Sequence, residues 1–161
     1  IIFSLIVVFL YILIRFRKWQ FSLGAVVALL HDVLFVMGVF SLADGFLPFQ
    51  LEVDQAFIAA ILTVIGYSLN DTVVVFDRIR ENMGSRGKQN GVSINKSLNQ
   101  TLSRTFNTSL TTFFVLLVIF LFGGEVIRGF MFALLLGVLV GTYSSLFIAT
   151  PVMFDASDKE S

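Results

Sequence analysis

The chain has 161 residues, 57% of them hydrophobic and 14% charged, with eleven Lys and Arg balanced by eleven Asp and Glu. Soluble domains carry about 25% charged residues, and a chain of this size with a mean hydropathy of +0.91 cannot enclose its apolar side chains in a soluble core, so it is an integral membrane protein seated in a lipid bilayer. Zero formal net charge gives no sign of a nucleic-acid partner, the lack of cysteine excludes disulfides, thiolate metal sites and cysteine nucleophiles, and a single histidine argues against a histidine metal centre.

The first segment, IIFSLIVVFLYILI, has fourteen residues before Arg15. That is short for a span, and it is expected to be the end of a longer helix. A signal peptide is the competing reading, but the charges follow the apolar run where a signal places them in front. Arg15, Arg17 and Lys18 with Trp19 then form a short basic loop with an interfacial aromatic, the pattern of a cytoplasmic edge. Residues 21–43 are predicted as the second span, with His31 and Asp32 near its middle. The pair can hold helices together through hydrogen bonds, or serve as a relay for protons, since ionisable residues inside a span are costly and usually functional. Residues 44–55 hold Pro48, three acids and no Lys or Arg, and are predicted as an exterior loop.

The third span, residues 56–83, begins with twenty-one residues whose one charge is Asp71, then meets Asp77, Arg78, Arg80 and Glu81. On a helix turning about 100° per residue, Tyr67, Ser68, Val75, Arg78 and Asn82 lie close to the Asp71 direction, so the carboxyl faces a partly polar stripe. Residues 84–91, GSRGKQNG, read as a loop. A long helix over 92–122 follows, amphipathic first and membrane-spanning later. One line on it carries Ser97, Gln100, Thr101, Arg104, Asn107, Thr108 and Thr111; the other side carries Leu98, Leu102, Phe106, Leu110 and Phe113. A loop GGEVIRG leads to a fifth span, residues 130–150, closed by Pro151 and a polar tail. Ala133, Gly137, Gly141, Ser145 and Ala149 recur there at every fourth residue; such a stripe lets another helix approach closely, and packing within the bundle is its simplest role. The whole chain is thus read as one all-α transmembrane domain of five helices.

Asp71 lies thirteen residues before Gly84 and Arg104 thirteen after Gly91, so in two antiparallel helices both sit roughly 20 Å from the turn. A carboxylate and a guanidinium buried at one depth can offset each other's desolvation. The pair can be a static ion pair. Alternatively, with Ser68, Asn70, Thr72, Asn107, Thr108 and Thr111 around it to hold water, it can be a site where proton binding depends on the separation of the two side chains. Nothing equips the chain for ATP hydrolysis, for no GxxxxGK[ST] phosphate loop is present.

The stretch GYSLNDTVVVFDRIREN, followed by LNQTLSRTFNTSLTT, LFGG and a glycine-rich last helix, resembles the SecF family of bacterial protein-export subunits, related to the resistance-nodulation-division transporters. The resemblance implies that Asp71, in the GYSxND motif, and Arg104, in the TLxRT motif, are the family's functional pair, and His31 and Asp32 also match. It further implies proton-driven assistance to the export of unfolded preproteins, with no cofactor and no enzymatic reaction. The implied partners are SecD, the SecYEG channel and also YidC and YajC. A sixth helix and an exported domain are expected to precede this region in the family. Two rival readings remain open: a proton-driven exporter of small molecules or lipids on the same bundle, and a scaffold subunit whose ion pair is only structural.

Ten of the eleven Lys and Arg fall on one side of the alternating helices, Arg128 being the exception. That side is predicted to be cytoplasmic in a bacterial inner membrane, with the C-terminus inside. Single cysteines at Ser85 and Gln50, treated with an impermeant maleimide in intact spheroplasts, should react only at Gln50; reaction at Ser85 alone would invert the topology.

Overall fold

Turns and caps supplied by the sequence set the starts of several helices. In the computed structural model, which describes residues 2–43, 45–49, 51–83 and 90–158, α1 (Ile2–Phe16) and α2 (Trp19–Ala43) are separated only by Arg17 and Lys18. Arg17 adopts a φ of 56°, the left-handed conformation that ends helices, and its N–H bonds to the Leu13 carbonyl at 2.9 Å. The exterior segment leads into α3 (Gln55–Asn82) through Asp54, whose carboxylate accepts the Phe57 N–H at 2.8 Å. One of the loop's acids is therefore a helix cap. Asn90 does the same for α4 (Gly91–Phe122), accepting from the Val92 N–H at 2.8 Å. Gln50, Ser85 and the rest of residues 84–89 lie outside the described residues.

The last span departs from the sequence expectation at both ends. The loop predicted at 123–129 shrinks to Gly123 and Gly124, and α5 (Glu125–Ser144) starts with Glu125 in its first turn, where a carboxylate is favoured by the helix dipole. Pro151 does not close the helix. A π-helical turn (Ser145–Ala149) precedes it and α6 (Thr150–Asp158) carries on beyond it. Proline has no N–H to give and its ring crowds the carbonyl four residues earlier; the wider turn takes up that mismatch, with the Thr150 hydroxyl donating to the Ser145 carbonyl at 3.3 Å. Four helical runs, α2, α3, α4 and Glu125–Ser157, are long and apolar enough to cross a membrane, while α1 is shorter.

In the bundle α3 and α5 form the most extensive helix pair; α2 packs against both, α4 lies against the same two helices, and α1 packs on α2. Phe16, Phe21 and Phe76 stack edge-on or face-on with centroids 5.1–6.0 Å apart at one end. Phe40, Phe57 and Phe132 close the other end, with Phe40 and Phe57 4.4 Å apart. Burial is uneven: α4 is the least buried of the long helices, and its Leu102, Phe106, Leu110 and Phe114 are exposed.

Glycines set the closest helix approaches. On α5, a Cβ at Gly137 would overlap Val64 of α3, and one at Gly141 would come 3.0 Å from the Ser68 Cβ; the glycines of the small-residue stripe thus lie on α3. Gly24 of α2, which sequence reading did not single out, admits the Ala149 carbonyl at the π-helical turn, where a Cβ would collide with backbone. Gly24→Ala should therefore lower the thermal unfolding midpoint of the purified full-length complex, since overpacking costs about 1–3 kcal/mol. Gly38→Ala, with nothing within 4 Å of the added methyl, should hold or raise it. Equal midpoints would show that the approach at Gly24 is not tight.

Candidate functional site

The middle of the bundle holds two polar networks, both attached to α3. The first is centred on Asp32, which lies about 20 Å along α2 from its start and is 0% exposed. Its Oδ2 accepts the Ser68 hydroxyl of α3 at 2.6 Å and the Ser144 hydroxyl of α5 at 2.8 Å. Its Oδ1 lies 3.2 Å from His31 Nδ1, and the His31 ring is partly exposed. A buried carboxyl is tolerable when its oxygens receive hydrogen bonds, and those made to a charged acceptor are the stronger kind. One side chain thereby joins three helices.

The second network sits one turn further along α3. Asp71 is 4% exposed, and its Oδ2 is buried without a hydrogen-bond partner. The carboxyl faces Ser109 of α4 and lies within the electrostatic reach of Arg104. Ser109 Oγ is 2.5 Å from Thr142 Oγ1 of α5 and accepts a longer bond, 3.4 Å, from the Tyr67 hydroxyl. Because the Thr142 hydroxyl can donate to the Val138 carbonyl at 2.7 Å, the Ser109 hydroxyl hydrogen is free to serve either Thr142 or the carboxyl. The α3–α4–α5 junction is therefore built from hydroxyls around one incompletely bonded acid.

The direct, buried Asp71–Arg104 pair expected from the sequence is absent. Arg104 is exposed, and among the described residues no carboxylate stands within ion-pair distance of it. The reason is the rotation of α4. Its buried face is Ile94, Ser97, Thr101, Thr105 and Ser109, so the polar line containing Arg104, Asn107, Thr108 and Thr111 is turned outward and those four residues are exposed. Arg104 lines a cavity of about 270 Å³ between α3 and α4, together with Val74, Asp77, Arg78, Glu81 and Thr101. Both acids among those neighbours are already paired: Asp77 with Arg15 at 2.9 Å and Glu81 with Arg78 at 2.7 Å.

Of the other predicted residues, Ser68 is in the Asp32 network, while Asn70 is exposed and joins neither network. Thr108 returns its hydroxyl to the Arg104 carbonyl at 2.9 Å, and the Ser145 hydroxyl donates to the Thr142 carbonyl at 2.9 Å. Sequence reading missed Ser109, Thr142 and Ser144. The recurrence of Ser or Thr at 97, 101, 105 and 109 is the signal that could have placed Ser109; nothing local distinguishes Ser144 from Ser145.

Comparison with known proteins fits this architecture. The family model described as "Protein export membrane protein SecD/SecF, C-terminal" matches residues 1–159. The chain is 61% identical over 153 residues to the protein translocase subunit SecF of Rhodothermus marinus, covering 94% of this chain and 49% of that one. It is 52% identical to SecF of Vibrio alginolyticus, over 91% of this chain and 45% of that one. Its fold is similar to crystal structures of SecDF. The super-membrane-facing form gives a TM-score of 0.86 at 41% identity, over 97% of this chain and 20% of the other. SecDF from Thermus thermophilus, a translocon-associated membrane protein, gives 0.79 at 42% identity, over 95% of this chain and 20% of the other. The chain belongs to the SecD/SecF C-terminal family of protein export membrane proteins. It spans about half the length of the SecF relatives it matches.

Proposed function

We propose that this chain is the membrane part of a SecF subunit that, together with SecD, couples proton flow across the bacterial cytoplasmic membrane to the export of preproteins. The observation that supports it most is the buried Asp71 carboxyl, left with one oxygen unpartnered in the middle of a span. An ionisable group so placed is costly unless it binds and releases a proton or pairs with a charge. The static-pair alternative fits less well, because Arg104 is not in contact with it.

The outward polar line of α4 supports the partnership with SecD. Arg104, Asn107, Thr108 and Thr111 are exposed, and although the two threonine hydroxyls bond to carbonyls of their own helix, lipid would leave the Arg104 and Asn107 side chains without hydrogen-bond partners. A membrane helix of SecD carrying acceptors at the level of Arg104 would cover them. In this scheme a proton arriving on Asp71 removes its charge and frees the Arg104 side of α4 to shift. Because little of α4 is buried against the other helices, such a shift would disturb few apolar contacts. The membrane potential supplies about 2.3 kcal/mol per charge per 100 mV, enough to bias the movement. The cavity lined by Asp77, Arg78, Glu81 and Arg104 would be the cytoplasmic mouth of the path. SecYEG, with YidC and YajC, would be the neighbours that receive the work, with the C-terminus of this chain on their cytoplasmic side.

Asp71→Asn keeps the side chain's shape and removes its proton exchange. Reconstituted with SecD, this variant should assemble at the native level, yet pass protons at under a tenth of the native rate and lose the potential-dependent stimulation of export. For a purely structural acid the outcome inverts: assembly would suffer, because the charge that acts on Arg104 across the α3–α4 junction would be gone. Native flux in an assembled Asn variant would exclude Asp71 from the proton path.

A further inference from the structure

Asp32 is as deeply buried as any residue in the bundle and is an ionisable side chain, yet the proton step described above runs through Asp71 and Arg104 and does not use it. Its bonding is also unlike that of Asp71. Where Asp71 has an unpartnered oxygen, both oxygens of Asp32 are engaged, and one of them receives hydroxyls from two different helices.

The geometry behind that shared oxygen is specific. Ser68 and Ser144 converge on one atom because α3 and α5 meet at glycine, a Cβ at Gly141 coming within 3.0 Å of the Ser68 Cβ. Ser68 sits one residue from Tyr67 and three from Asp71. Ser144 sits two residues from Thr142 and directly before the π-helical turn. Each serine that bonds Asp32 is thus on the same helical turn as a member of the second network. A rotation of α3 that breaks the bond from Ser68 to Asp32 would necessarily swing Tyr67 and Asp71 relative to Ser109. A rotation of α5 that breaks the bond from Ser144 would swing Thr142.

We infer that Asp32 is a positioning residue: by accepting Ser68 and Ser144 on one oxygen it fixes the rotational phase of α3 and α5, and so holds Tyr67, Asp71 and Thr142 against Ser109 of α4. The inference deepens the proton-coupling reading and separates two roles open to Asp32, a proton carrier and a support for the carrier. An asparagine at 32 has a carbonyl oxygen that accepts the same two hydroxyls but cannot exchange a proton, so it divides the roles. Removing the two serine hydroxyls breaks the support while leaving the acid in place.

The test uses the full SecDF complex in lipid vesicles, with 3-fluorotyrosine placed at position 67 alone, so that one fluorine resonance reports the Tyr67–Ser109 junction whether or not protons flow. A Ser109→Ala complex supplies the resonance position for a lost junction. Asp32→Asn is expected to keep the native resonance and pass protons within about threefold of the native rate. Ser68→Ala/Ser144→Ala and Asp32→Ala are both expected to move the resonance toward the Ser109→Ala position and to lower flux at least tenfold, the size of effect expected from losing hydrogen bonds to a charged group. The serine double variant keeps the test available if Asp32→Ala does not assemble. A native fluorine resonance in the double variant would overturn the inference, as would Asp32→Asn losing flux as Asp71→Asn does, which would make Asp32 a carrier. If the native complex passes no protons, the coupling reading fails, and the fluorine resonances alone still decide whether Asp32 sets the phase.

Discussion

The close packing of α3 on α5, pinned by a single carboxylate oxygen, is the constraint from which the rest of the bundle follows. Gly137 and Gly141 remove the side chains that would keep these helices apart, and Asp32 Oδ2 then reaches hydroxyls on both. Burying a carboxyl in a membrane interior is tolerable only with such compensation. The α2–α3–α5 core gains directional bonds that apolar packing alone does not provide. Gly24, receiving the Ala149 carbonyl, joins α2 to the π-helical turn immediately beyond Ser144, so α2 and the last span are held together again a few residues away.

Against that fixed core, α4 is attached differently. Beyond Ile94, its buried face is a column of small hydroxyl residues, Ser97, Thr101, Thr105 and Ser109. Most of its apolar surface is exposed, as is its polar line. The protein thus places an incompletely bonded acid on a helix packed into the core and a cation on the outward side of α4, with Ser109 of α4 facing the acid. A bundle in which all helices buried their apolar faces equally would resist the relative movement that the proposed coupling requires, and the role inferred for the Asp32 network is to keep Asp71 aimed at α4.

Much of this was legible in the sequence. The four long spans follow from apolar length, and Asp71, Asp32 and Arg104 stand out because charge is costly there. The glycine and alanine recurrence on the last helix pointed to close packing, and the structure places it on α3. What could not be read was rotation. The wheel put Arg104 and Ser97 in one polar sector of α4, but only the edge of that sector, Ser97 with Thr101, faces inward. The direct Asp71–Arg104 pair was inferred from equal depth, and depth says nothing of the angle about each helix axis. Pro151 misled for a related reason: proline forbids an ordinary helical hydrogen bond, and a π-helical turn upstream satisfied that restriction without ending the helix.

The central claim is that Asp71 itself changes protonation inside the assembled membrane complex. Infrared difference spectra of the SecDF complex in lipid, recorded as the pH is stepped, test it directly. The account predicts a carbonyl stretch of a protonated carboxyl that grows on acidification and is missing from the same spectra of the Asp71→Asn complex. Identical difference spectra for the native and Asn complexes would contradict it, because the titrating carboxyl would then lie elsewhere.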